Sequence, residues 1–220
     1  MTKKAKRRGY DASGRRAAAE TTRHAIIAAA RDIFLRRGYA GATMSMIAEE
    51  AGIALDTVYA SVGKKPALFR LLVETAISGV DEAVPAEQRD YVRAIRAATD
   101  AAAKLKIYAG ALGAIQPRLA PIFKILQTAA AQEPELAALW QEISDRRAAN
   151  MHRLAQDLAA TGQTRRDLTL NRIADIIWSM NAPEYFLLLV EQRGWTAAEF
   201  AQWIADAWIR LLLDGAPQKA

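Results

Sequence analysis

The residues of this 220-residue chain whose types and spacing point to a chemistry lie in its first third. Between Thr43 and Ser61 they follow the demands of two short helices that cross closely. Ala48 is a small residue at the expected crossing, and Gly52 suits a tight turn. Ile47, Ala51, Ile53 and Val58 would pin both helices to a third. Such a pair lays its second helix in the major groove of DNA and turns that helix's outer face to the bases. An ordinary helical hairpin can carry the same pattern. No catalytic constellation competes with this reading. The chain has no cysteine, which excludes disulfides, thiolate metal sites and cysteine nucleophiles. His24 and His152 have no partner three or four residues on that would suggest a metal. No glycine-rich phosphate loop, nucleophile elbow or paired-carboxylate motif stands out. We expect no enzyme, no metal and no cofactor.

Charge supports the same reading. The chain carries a formal net charge of +6. Residues 1–65 hold thirteen Lys and Arg against six Asp and Glu, while the remainder holds seventeen against eighteen. A basic N-terminal third on a near-neutral body is the footprint of a nucleic-acid module attached to something else. Just over half the residues are apolar, so a sizeable core can form. No signal-peptide core follows the basic start, and no run approaches the roughly 18 apolar residues of a membrane span. A cytoplasmic protein is the expectation.

The elements that would position these residues are helices throughout, with no convincing strand alternation. Residues 1–19 read as a disordered basic arm, either solvated or reaching a minor groove. An amphipathic helix over about 21–37 follows, stopped by Gly38. Thr43 would cap a short helix ending at Gly52, and a third short helix covers about 55–61. Further helices are expected over about 66–82 and from about 87 into the 100s. Pro117 and Pro121 mark a start or kink, and a long helix runs from Pro134 to about 160. Two more cover about 170–193, broken near Pro183, and 197–213, the last opened by the capping box Thr196-Ala-Ala-Glu199.

The run Ala29-Ala-Arg-Asp-Ile-Phe-Leu-Arg-Arg-Gly-Tyr39, then Thr43-Met-Ser-Met-Ile-Ala-Glu-Glu-Ala-Gly-Ile53, Thr57-Val-Tyr59 and Lys64-Lys-Pro-Ala-Leu-Phe69 resembles the N-terminal domain of the TetR/AcrR family of regulators. The resemblance covers about residues 23–72. It implies an all-α protein: a three-helix helix-turn-helix DNA-binding domain (20–65) joined to a larger helical effector-binding and dimerisation domain (66–220). It implies that Thr43, Thr57, Tyr59 and Lys65 touch the DNA backbone, and that Ala54, Leu55, Asp56, Ala60 and Ser61 lie near base edges. Plainer roles stand beside these: Thr43 as a simple cap, Tyr59 as a core residue and Asp56 as a stabiliser of its helix N-terminus. Two residues depart from the family's habit. Ala54 stands where serine is common, and Val62 where an aromatic is common.

The body is expected to hold a small, mainly apolar effector among the helices after residue 82. Tyr108, Phe123, Trp140, Met151 and Trp178 are candidate walls, although aromatic and methionine residues at helical spacing are usually core. Arg147 falls within an apolar stripe and must pair with another helix, snorkel to solvent or face an acidic ligand. Two apolar stripes, Ile173, Ile176, Ile177 and Met180, and Trp203, Ile204, Trp208 and Leu211, are candidate homodimer surfaces. The resulting expectation is a dimeric regulator, a repressor, that leaves a pseudo-palindromic operator when its effector binds. An all-α enzyme acting on a hydrophobic substrate, a DNA-binding protein without an effector, and an activator remain as alternatives.

Overall fold

The computed structural model describes residues 12–79 and 84–215, apart from the side chains of residues 12, 13 and 15. Ten α-helices run through these residues, and no strand is found among them beyond a single antiparallel bridge between Thr164 and Leu213. No single described helix is long and apolar enough to cross a membrane.

The first helix, α1 (Ala12–Gly41), begins earlier than expected. Residues 12–19 of the expected disordered arm are therefore helical, while residues 1–11 lie outside the described residues. An alanine-rich stretch, Ala17 to Ala19, extends the helix backwards at little conformational cost. Gly38 does break it: its φ of 66° and ψ of −178° are non-helical, and one more turn carries the chain to Gly41. Next come α2 (Met44–Ala51) and α3 (Leu55–Val62). Between them Gly52 takes the left-handed conformation, φ 66° and ψ 30°. Its N–H donates to the Glu49 carbonyl at 3.1 Å, and the Ile53 N–H donates to the Ala48 carbonyl at 3.0 Å. These two bonds close the end of α2 as a Schellman motif, which needs a residue at ease with positive φ.

α4 (Lys65–Ser78) ends four residues sooner than expected. A short 3₁₀ turn (Ala86–Gln88) leads into α5 (Asp90–Ala97). The helix expected from about 87 into the 100s is in fact two helices. Asp100 interrupts it and caps the next one, accepting from the Ala103 N–H at 2.7 Å. That next helix, α6 (Ala101–Ala130), runs straight through Pro117 and Pro121, so neither starts a helix. Each proline removes one backbone donor, yet the flank they sit in is buried through Ile115, Gln116, Ala120, Ile122 and Phe123, and that packing holds the helix. α7 (Pro134–Ala159), α8 (Leu170–Met180), α9 (Pro183–Val190) and α10 (Ala197–Leu212) follow. The capping box opens α10 as expected, with both reciprocal bonds formed.

Two apolar clusters hold the chain together. One joins α1–α4 to the second half of α6 and the first half of α7, through Phe34, Phe69, Ile122, Leu126 and Leu139. The other lies among α5–α10, around Leu105, Tyr108, Phe200, Ile204 and Trp208. At Gly113, α6 and α10 come so close that a Cβ would stand 2.9 Å from that of Ala201. Any side chain there would force the two helices apart.

Candidate DNA-reading face and effector cavity

The helix-turn-helix is locked from beneath and open above. Ile47, Ala48, Val58 and Val62 are buried. Leu55, Asp56, Thr57, Tyr59 and Ala60 are exposed on the outer face of α3, with Tyr59 43 % exposed and Ser61 half-buried at the edge. Tyr59 is thus a surface residue, not a core one. Thr43 is exposed, and its hydroxyl accepts from the Met46 N–H at 3.2 Å, so it caps α2. Ala54 gives α3 no side-chain cap, and Asp56 supplies the only acidic group in that helix's first turn.

Lys65 opens α4 beside exposed Lys64. Its Nζ lies 4.2 Å from the centroid of the Tyr39 ring. Burial lowers the Lys65 pKa, and Glu133 opposes the shift. Tyr39 stacks against Phe34 and meets Phe69 edge-on at 5.3 Å, while Phe34 and Phe69 meet edge-on at 5.0 Å. Burial, assisted by Glu133 and Glu135, pushes the Tyr39 hydroxyl up to about 12. This aromatic trio fixes the start of α4 against α1. Sequence reasoning missed it, although Tyr39 directly after Gly38 was its signal.

A cavity of about 710 Å³ opens in the body, walled by α4, α5, α6 and α7. Of the expected wall residues, Tyr108, Phe123, Arg147 and Met151 line it, whereas Trp140 and Trp178 do not. Trp140 packs on Phe123 with ring centroids 4.8 Å apart and belongs to the first apolar cluster. Trp178 lies outside the cavity wall and carries the Arg147 guanidinium 4.5 Å over its ring. The salt bridge expected for Arg147 is not formed among the described residues. Instead it donates to the Trp178 carbonyl at 3.3 Å, and its Nε is buried without a partner. Burial lowers its pKa, and Glu184 opposes that shift.

Apolar surface dominates the cavity lining, yet charged groups that the sequence did not bring together also stand on its wall. Six arginines and four carboxylates line it, drawn from α4, α5, α7 and the turn before α5. They are scattered in sequence, and only the fold gathers them. Two pairs tie α4 to α7: Arg70 with Glu142 at 2.7 Å and Arg146 with Glu74 at 2.6 Å. At the inner end, the Asn181 side-chain amide donates to the Tyr108 hydroxyl at 2.7 Å, and the Gln116 amide donates to the Asn181 backbone carbonyl at 2.8 Å. Burial raises the Tyr108 pKa strongly. Gln116 and Asn181 were not foreseen; a glutamine within the apolar flank of α6 was the available signal.

The expected dimer surface divides in two. Ile173, Ile177, Ile204 and Trp208 are buried within the chain's own second cluster and cannot meet a partner in this conformation. Ile176 and Met180 are half-buried, while Trp203 and Leu211 are each 43 % exposed. Leu170, Trp178 and Leu188 add to the exposed apolar surface of α8 and α9.

A three-helix helix-turn-helix is thus seated on a cavity-bearing helical body. Residues 26–72 match the model for bacterial regulatory proteins of the tetR family. No curated protein sequence matches the chain. Several solved structures share the whole fold. NalD of Pseudomonas aeruginosa, the secondary repressor of the MexAB-OprM multidrug efflux pump, has a TM-score of 0.68 at 20 % identity, over 90 % of this chain and 99 % of its own. A protein of Saccharomonospora viridis assigned as a transcriptional regulator and crystallised with choline scores 0.67 at 17 % identity, over 89 % and 99 %. SmeT in complex with triclosan scores 0.62 at 18 % identity, over 90 % and 98 %. At these identities the likeness establishes the fold.

Proposed function

We propose that the chain is an effector-responsive repressor that binds a pseudo-palindromic operator as a homodimer and releases it when a small molecule fills the cavity. The observation that carries this reading is the double duty of α4. Its first residue, Lys65, lies beside the recognition helix, while Arg70, Glu74 and Ile77 further along line the cavity. A ligand that prefers one setting of α4 therefore shifts the placement of the recognition helix, and a coupling of about 1–3 kcal/mol would weaken operator binding by roughly 5–150-fold. The repressor role of NalD and the triclosan bound to SmeT support the same reading by similarity of fold. In this proposal residues 20–65 read DNA, residues 66–220 hold the effector and the dimer contact, and the protein works in the cytoplasm. The partner copy would lie on the exposed apolar residues of α8 and α10.

The test separates gripping from reading. Selection from random DNA should yield a two-fold symmetric site. Lys65→Ala should weaken binding to all sequences alike and reduce the salt-dependence slope by roughly one unit for each phosphate no longer gripped. Leu55→Ala or Ser61→Ala should change which base is preferred, by about 1–3 kcal/mol per affected pair, at an unchanged slope. A shifted base preference in Lys65→Ala, with none in the other two, would refute the placement of α3 in the groove.

A further inference from the structure

Resting on the reading of the cavity as an effector site, we propose that the effector is an amphipathic organic acid. Its carboxylate meets Arg147, its apolar body lies along α6, and a second polar group donates a hydrogen bond to Gln116. The cavity's charge is the first ground. Arg70, Arg146 and Arg153 have carboxylate partners in Glu142, Glu74 and Glu87. That leaves Arg89, Arg96 and Arg147 on the wall against Asp157, with the buried Glu184 carboxylate acting on Arg147 through space but forming no ion pair with it. A cationic guest would add to this excess, and an anion offsets it. Arg89 is occupied, donating to the Val84 carbonyl at 2.9 Å and to the Tyr91 hydroxyl. Arg147 is the poorly satisfied one. Among the described residues no carboxylate lies within ion-pair distance, and its Nε is buried and unbonded. A carboxylate is the acceptor that best matches a guanidinium.

Gln116 is the second ground. It is 1 % exposed, lines the cavity, and donates its amide to the Asn181 backbone carbonyl, which settles the orientation of the amide. Its Oε1 is left buried without a donor. Buried acceptors are rarely left unmatched, so a ligand hydroxyl or N–H fits there. The same cavity carries an apolar wall of Leu112, Ile115, Leu119, Phe123 and Ile143.

Calorimetric titration of the full chain with two matched probe sets tests this. The sets are octanoate, octanamide and octylamine, and phenylbutyrate, phenylbutanamide and phenylbutylamine. The carboxylate should bind at least about tenfold more tightly than its amide, and the amine most weakly. Arg147→Met should bring the carboxylate down to the level of the amide without changing the amide. Arg147→Lys should keep much of the preference and show that the fold is intact. A β-hydroxyl group on octanoate should improve binding to the native chain and not to Gln116→Leu. Amides or amines binding as tightly as the acids would overturn the organic-acid inference and leave the cavity reading standing. So would an acid preference indifferent to Arg147→Met. Failure of every probe in both sets would overturn the cavity reading itself.

Discussion

The DNA-reading end and the cavity-bearing body are both helical, yet they are built on opposite terms. Around α1–α4 the side chains meet their neighbours: Phe34, Tyr39 and Phe69 interlock, and the turn at Gly52 is closed by two backbone bonds. The body surrounds a cavity and, among the described residues, holds most of the unmatched buried polar atoms, at Gln116, Arg147, Asn181, Glu184 and Trp208, against Arg23 in α1. A reader of DNA must present one shape, because bases are discriminated at hydrogen-bond distances. A responder must leave something unsatisfied for its ligand to complete. On the proposed function, the contrast means that specificity for DNA and sensitivity to a ligand call for different packing within one chain.

Substitutions can break or sharpen this contrast. The largest effect is expected at Phe69, fully buried in the aromatic trio. Phe69→Ala should cost about 3–5 kcal/mol in chemical denaturation. Leu112→Ala, at a side chain that already borders the cavity, should cost only about 2 kcal/mol, the low end for such truncations. Equal losses at the two positions would erase the distinction between a close-packed region and a hollow one. Gly52→Val is next. A Cβ there meets nothing within 4 Å, so its expected cost of roughly 1–3 kcal/mol is pure backbone strain from the left-handed conformation. Operator affinity should fall with stability as the turn opens. Arg70→Gln should move the melting temperature little, since half-exposed ion pairs contribute about 0.2–1 kcal/mol. It should nonetheless change the ratio of operator affinities with and without ligand.

The smallest effect is a titration. Tyr39 keeps its proton to about pH 12 in the folded chain, against 10.0 for a free tyrosine. Because the folded value is the higher one, its contribution to stability is complete below pH 10 and fades as pH rises towards about 12. Ultraviolet titration of Tyr39→Phe should lack one tyrosinate step near pH 12. Loss of a step near pH 10 instead would mean that burial does not raise the Tyr39 hydroxyl.

The sequence made the first region legible because its constraints are local. Thr43, Ala48, Gly52 and Val58 lie within sixteen residues and each answers to one geometric demand. Of the cavity wall, Tyr108, Phe123, Arg147 and Met151 were expected, whereas Arg70, Arg89, Gln116 and Asn181 were hidden because they come from four separate stretches. Periodicity located the apolar stripes of α8 and α10 but could not say which neighbour would cover them. Ile173 and Trp208 proved to face their own chain, while Trp203 faces outward. Of the start or kink that Pro117 and Pro121 offered, the start is excluded for a related reason: a local breaker yielded to tertiary packing that no local window contains.

The fourteen residues of α4 make a rod about 21 Å long at 1.5 Å per residue, tied to α7 at both Arg70 and Glu74 and carrying Lys65 at its start. Such a rod is a mechanical lever, and its reach converts angle into distance. Lys65 stands roughly 8 Å along the axis from the nearer tie at Arg70, so a tilt of about 5° there sweeps it by roughly 0.7 Å, about a quarter of a hydrogen-bond length. In the proposed dimer, two such levers facing opposite ways on a two-fold axis would add their displacements. A ligand that moved no atom of the cavity wall by more than a few tenths of an ångström would then suffice to put both proposed recognition helices out of step with the groove.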